Sequence, residues 1–250
     1  MAKTYYSSNR WALTGLFKRI NLGDNPKLLR CEASQLVDKV NSDDITAAKK
    51  SLVSEGYSEE LVQKIAAVFV LMGLPKKKTA NSRLKLTDNH ILQKITTEHS
   101  MCRCYLQDLK EVAQEIKQMN SISSLSSEFR RFTLIVEYLC QFRRHIEREE
   151  DIIFHYLKKY GWDGLCKTAS DEHTKILVQI DNLYALAVSF DMIKPNEFKI
   201  YLRKIVDALI SMMRDHLDYE EELLWPISLL VIDDAQVWQA IKKVCDEFEY

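Results

Sequence analysis

Apolar residues recur at intervals of three and four along most of the chain, the period of a helix with one buried face. From about 88 onward the pattern predicts four long helices. The first covers about 88–119 and turns Leu92, Ile95, His99, Cys102, Leu106, Leu109, Ala113 and Ile116 inward. The second covers about 128–160, with Ile135, Tyr138, Phe142, His145, Glu149, Ile152 and Tyr156 on one face and Gly161 where a helix-ending glycine belongs. The third starts near Ser170 and carries His173, Ile176, Ile180, Leu183 and Ala187. The fourth starts at Pro195, a first-turn proline, and aligns Leu202, Ile205, Leu209, Met212 or Met213, His216, Glu220 and Leu223 before Pro226 bends or ends it. Short connections between them predict an up-down-up-down four-helix bundle. A last amphipathic helix follows over about 235–248.

The first third reads as shorter helices over about 8–73. Ser42 is the expected cap of one that begins with Asp43 and Asp44 and ends at Gly56. Ser58 is the expected cap of the next, which ends at Gly73-Leu74-Pro75. The polar run 76–83 reads as a linker. The expected organisation is therefore a helical N-terminal domain over 1–75, a linker over 76–86, and a bundle with its C-terminal helix over 87–250. Composition agrees with an all-α fold. Only 6 Gly and 4 Pro leave few places for turns, which argues against a sandwich or barrel.

The longest apolar run, 65–74, is too short to cross a bilayer. The first residues lack the apolar core of a signal peptide, so the expected location is cytoplasmic, with no membrane partner. The 6 cysteines include no Cys-x-x-Cys and are expected as reduced thiols. Charge is uneven. Residues 1–86 carry 15 Lys and Arg against 8 Asp and Glu, whereas the remainder carries 20 against 28. Complementary surfaces explain this better than nucleic-acid binding, for which no recognition motif is present.

The candidate chemistry lies in a repeat. His145-Ile-Glu-Arg-Glu149-Glu150 precedes Ile152-Ile153, and His216-Leu-Asp-Tyr-Glu220-Glu221 precedes Leu223-Leu224. Each copy follows a Glu-His pair, Glu98-His99 or Glu172-His173. His and Glu at i and i+4 share a helix face, so each copy brings two imidazoles and one carboxylate to the bundle interior. Burying His99, His145, His173, His216, Glu149 and Glu220 together is costly unless a metal pairs them. Thiolates are missing from the set, and the set exceeds what one tetrahedral zinc needs. Two iron ions bridged by both carboxylates and an oxo or hydroxo group fit better, with open positions for a small ligand. Glu98, Glu172, Glu150 and Glu221 read as solvated or supporting groups. His90 reads as a surface or domain contact, His155 as structural, and Cys102 as a core filler. The ferritin pattern is excluded, since none of the 6 histidines has Glu three residues before it.

These motifs resemble the hemerythrin-like (HHE cation-binding) domain over roughly 88–245, together with Arg148-Glu149-Glu150 and Glu220-Glu221-Glu222-Leu223-Leu224-Trp225-Pro226. The resemblance implies a four-helix bundle with a carboxylate-bridged di-iron centre on the six residues named. It implies a ligand such as O2, NO or peroxide, in sensing or in oxidative or nitrosative stress. Oxygen carriers of the family use a fifth histidine near the third helix; Ala169 and Leu177 stand at the neighbouring turns here. The symmetric set is similar instead to di-iron proteins implicated in repairing iron centres. An NO or peroxide reductase with an electron donor and an iron-donating protein are the alternatives. Residues 25–73 resemble a helical domain that precedes some prokaryotic members.

Overall fold

The computed structural model describes residues 2–73, 89–159, 162–232 and 234–247. Among them there is no strand. The N-terminal helices are α1 (Ala2–Leu22), α2 (Pro26–Leu36), α3 (Ser42–Ser54) and α4 (Glu59–Gly73). The long helices are α5 (Ile91–Gln118), α6 (Ser127–Arg148), α8 (Asp163–Val188) and α9 (Pro195–Tyr219). α6 runs through a wide turn at Glu149–Ile153 into α7 (Phe154–Lys159), and α9 runs through another at Glu220–Leu224 into α10 (Trp225–Val231). Helix α11 (Ala235–Glu247) closes the chain. Linker residues 76–86 and the cap position Gly161 lie outside the described residues.

Local chemistry sets these boundaries. α3 is capped by Asn41, not by the expected Ser42. The Asn41 side chain accepts from the Asp44 amide at 2.9 Å, while the Asp44 carboxylate accepts from the Asn41 amide at 3.2 Å. This reciprocal box contributes about 1 kcal/mol and leaves Ser42 inside the first turn. Gly56, at φ 99°, ends the segment as expected. The Ser58 hydroxyl accepts from the Leu61 amide at 3.2 Å, the expected cap of α4.

α5, α6, α8 and α9 pack each on the next, and α9 packs back on α5, closing the bundle. The inner faces follow the expected period with one-position shifts. Val112, Leu139, Leu157, Leu186 and Val206 are buried where Ala113, Tyr138, Tyr156, Ala187 and Ile205 were expected to lead. Tyr138 lies outside, 39% exposed and stacked on Tyr105 at 4.8 Å. α8 starts at Asp163, before the expected Ser170. Its first turns bury Leu165, Cys166 and Ala169 against the N-terminal helices, a partner that bundle periodicity alone does not reveal.

The apolar interior divides in two. One cluster fills the far end of the bundle, with Leu106, Leu109, Phe132, Leu139, Ile180, Phe198 and Leu209. The other joins α1–α4 to the near end through Phe17, Leu52, Phe69, Ile91, Phe154, Leu165, Trp225 and Ile241. Along each long helix the break between them falls at the same level. Ile95 belongs to the near cluster and Cys102 to the far one; Ala169 is near and Ile176 far. The layer between holds the polar side chains that the repeat singled out.

Candidate metal centre

Six side chains meet in that layer. His99 comes from α5, His145 from α6, His173 from α8 and His216 from α9. Glu149 and Glu220 open the two wide turns. None of the six is more than 3% exposed. Their atoms form two sets, His99–His145–Glu149–Glu220 and His173–His216–Glu149–Glu220, each with ligand atoms within 4.8 Å of one another. Both glutamates belong to both sets.

The wide turns place those glutamates. The Phe154 amide donates to the Glu149 carbonyl and the Trp225 amide to the Glu220 carbonyl, five residues back instead of four. Such one-residue expansions of a helix recur at functional sites. Pro226 does not end the helix, because it stands in the first turn of α10, a position that proline tolerates. Proline is not the cause of the expanded turn, since the first copy has the same turn without one.

A second layer of carboxylates orients the imidazoles. Glu98 on α5 accepts from His145 Nδ1 of α6 at 2.6 Å. Glu150, beyond α6, accepts from His173 Nδ1 of α8 at 2.7 Å. Glu172 on α8 accepts from His216 Nδ1 of α9 at 3.2 Å. Glu221, beyond α9, accepts from His99 Nδ1 of α5 at 2.9 Å, which closes the circuit. Each helix thus fixes the ring on its neighbour. With Nδ1 committed outward, every Nε2 faces the centre. Solvent was the other reading of these four glutamates, and the structure assigns each a histidine instead. The signal was in the sequence: a second glutamate or a glutamate-histidine pair accompanies every member of the repeat.

Cations stand behind this layer. Arg148 pairs with Glu98, Arg103 with Glu221 at 2.6 Å, and Lys27 of α2 with Glu172. Glu150 has Ser170 beside it and the charge of Lys158 nearby. Sequence reading did not single out Arg103 or Lys27; neither belongs to the repeat. Phe142 stacks on the His145 ring at 4.4 Å, and Phe154 lies parallel to the His173 ring at 5.9 Å.

The centre itself is unbalanced without a cation. His99 Nε2 and His145 Nε2 face each other at 3.1 Å. Glu149 lies 3.1 Å from His145 Nε2 and 3.3 Å from His173 Nε2; Glu220 lies 3.2 Å from His99 Nε2 and 3.3 Å from His216 Nε2. Yet both oxygens of Glu149 and of Glu220, and Nε2 of His173 and His216, have no hydrogen-bond partner. Buried atoms close together but without hydrogen bonds are donors converging on a shared positive charge. In the metal-free chain protons supply that charge. Burial opposes charging of His99 and His173, but the surrounding glutamates outweigh it and raise both, His173 to about 11. Burial likewise works against ionised Glu149 and Glu220, yet the histidines hold Glu149 well below the usual carboxylate range and Glu220 at about 2. The donor set of imidazole and carboxylate fits divalent or trivalent cations of intermediate hardness.

The remaining candidates lie elsewhere. His90 caps α5, its Nδ1 accepting from the Leu92 amide at 3.2 Å, with its ring 4.7 Å from Trp238. His155 is exposed beside Tyr156. Cys102 is buried in the far core, where burial pushes its thiol up to about 12 and keeps it neutral.

No curated protein and no solved structure matches the chain at a significant level. The model of the hemerythrin HHE cation binding domain matches residues 90–228, the span that carries all six converging side chains. A match over more than half of the chain, on a helical bundle with a buried His and Glu cluster at its centre, places this protein in the hemerythrin HHE cation-binding family.

Proposed function

We propose that the chain is a non-haem di-iron protein that binds or reacts with a small diatomic molecule or peroxide, in sensing or in oxidative or nitrosative stress. The observation that carries this reading is that both glutamates are shared between two ligand sets. His99 and His145 would hold one ion and His173 and His216 the other, with Glu149 and Glu220 between them. The donor set contains no thiolate, which favours iron over structural zinc. When bound, the iron pair supplies open coordination positions and one-electron redox change. The protein's part is to orient four imidazoles through Glu98, Glu150, Glu172 and Glu221 and to exclude water. Burial of all six side chains suits partners the size of O2, NO or peroxide better than larger substrates. Six free cysteines suit a reducing, cytoplasmic setting.

Burial also favours a retained centre over an iron-delivery role, since release would open a packed interior. Anaerobically purified protein is expected to hold two irons per chain, one for each ligand set. Content well below two, or content unchanged in both His145→Ala and Glu220→Ala, refutes the reading. Stopped-flow spectra of the reduced protein with O2 and with NO then separate the roles. A stable adduct marks a binding protein, repeated turnover with an electron donor marks a reductase, and iron loss marks delivery.

A further inference from the structure

The two halves of the centre are supported differently. Behind the His99–His145 half stand Arg103 and Arg148, both from the bundle helices. Behind the His173–His216 half, the cation on Glu172 is Lys27, which belongs to the N-terminal helices. The oxygens used also differ. Arg148 and His145 share Oε2 of Glu98, and Arg103 and His99 share Oε1 of Glu221. At Glu172, Lys27 takes Oε1 and His216 takes Oε2. A cation on the other oxygen fixes the rotation of the carboxylate and leaves the remaining oxygen to the histidine alone.

Lys27 is itself held. Its ammonium lies 5.8 Å from the centroid of the Tyr219 ring, and Tyr219 immediately precedes Glu220. Lys27 stands in the first turn of α2, whose start is fixed by the Asn25 side chain accepting from the Lys27 and Leu28 amides. Just before it, the α1–α2 turn rests backbone to backbone on α8. A Cβ built on Gly164 would fall 1.8 Å from the Gly23 carbonyl oxygen, and Gly23 has φ +72°. Two glycines therefore bring the beginning of α2 against the helix that carries Glu172 and His173.

We infer that Lys27 is a positioning residue for the metal centre, acting through Glu172 on His216, so that docking of the N-terminal helices sets the affinity of one half alone. This rests on the two-ion reading above. It gives the N-terminal helices a part in the centre beyond their share of the apolar core.

The test is titration of the metal-free full-length protein with cobalt(II), followed by its visible bands, in wild type and in Lys27→Gln, Lys27→Arg and Arg103→Gln. Wild type should take up two ions in resolvable steps. Lys27→Gln should weaken one step roughly tenfold, the lower end of what outer partners of metal-bound imidazoles contribute. Lys27→Arg should restore it, and Arg103→Gln should shift the other step. Lys27 is about half exposed, so unchanged far-UV circular dichroism is expected in its variants. Two wild-type steps that Lys27→Gln leaves alone, or shifts equally, overturn the inference and spare the two-ion reading. Tightening of the affected step overturns positioning, because it makes the lysine only a repelling charge. Uptake of a single ion by wild type overturns both.

Discussion

At the scale of residues, the centre is a place where metal and protons compete for the same nitrogens. His99, His145 and His173 are all held above the ordinary imidazole range by the glutamates around them, against the opposing effect of burial. A proton on Nε2 must leave before a metal can bind there. Metal affinity is therefore expected to rise with pH across the neutral range, since the glutamates hold these imidazoles above their ordinary range. The carboxylates add no further slope above about pH 5, because Glu149 and Glu220 are both held in the ionised form there. Calorimetry in buffers of different ionisation heat should show protons released on metal binding at pH 7. A pH-independent affinity between 6 and 8 would contradict the protonated cluster. For the metal-free fold, a histidine raised in this way adds stability that is full below about pH 6.5 and is lost as pH climbs towards the folded value. The six converging residues were legible in the sequence because helical spacing and repetition are enough to place them. Lys27 and Arg103 were not, since their role depends on which helices become neighbours.

At the scale of elements, the instructive parts are the expanded turns at Glu149–Ile153 and Glu220–Leu224. Spacing of i and i+4 predicted the inward glutamate correctly but carried no sign that the backbone widens after it. The doubled apolar pairs were the available trace. Ile152 and Ile153 are both buried, as are Leu223 and Leu224. The expansion also moved burial from Tyr156 to Leu157, one of the one-position shifts along the long helices. Removing one exposed residue from such a turn returns a regular helix and leaves the following residues in phase. Deletion of Asp151 is therefore expected to preserve helix content while lowering metal uptake. Full metal content in that variant would show that the expansion serves packing alone.

At the scale of the molecule, the N-terminal helices and the bundle share one apolar cluster instead of meeting as two finished surfaces. The bundle's own periodicity made the far core legible. The near core was not, because its partners lie in α1–α4, far away in sequence. The close approach of Gly23 and Gly164 gives a direct probe of this union. Gly164→Ala forces the α1–α2 turn away from α8, with a cost of about 1–3 kcal/mol typical of overpacking. Urea unfolding should report that loss, and metal loading should offset part of it. An unchanged midpoint would mean that the turn can shift freely.

The ring of outer carboxylates has a kinetic consequence. Each glutamate is anchored on one helix and grips a histidine on the next, around the full circuit from α5 to α9 and back. A bound ion would be held by rings that are each latched from a neighbouring helix, so the swing of one side chain would not free it. Release is expected to need two helices to part, and the Lys27–Glu172 pair ties α2 to one of them. The lifetime of a bound metal is then expected to follow the opening rate of the fold more than the strength of any single ligand bond. Loss to a strong chelator should be independent of chelator concentration and should quicken in mild denaturant.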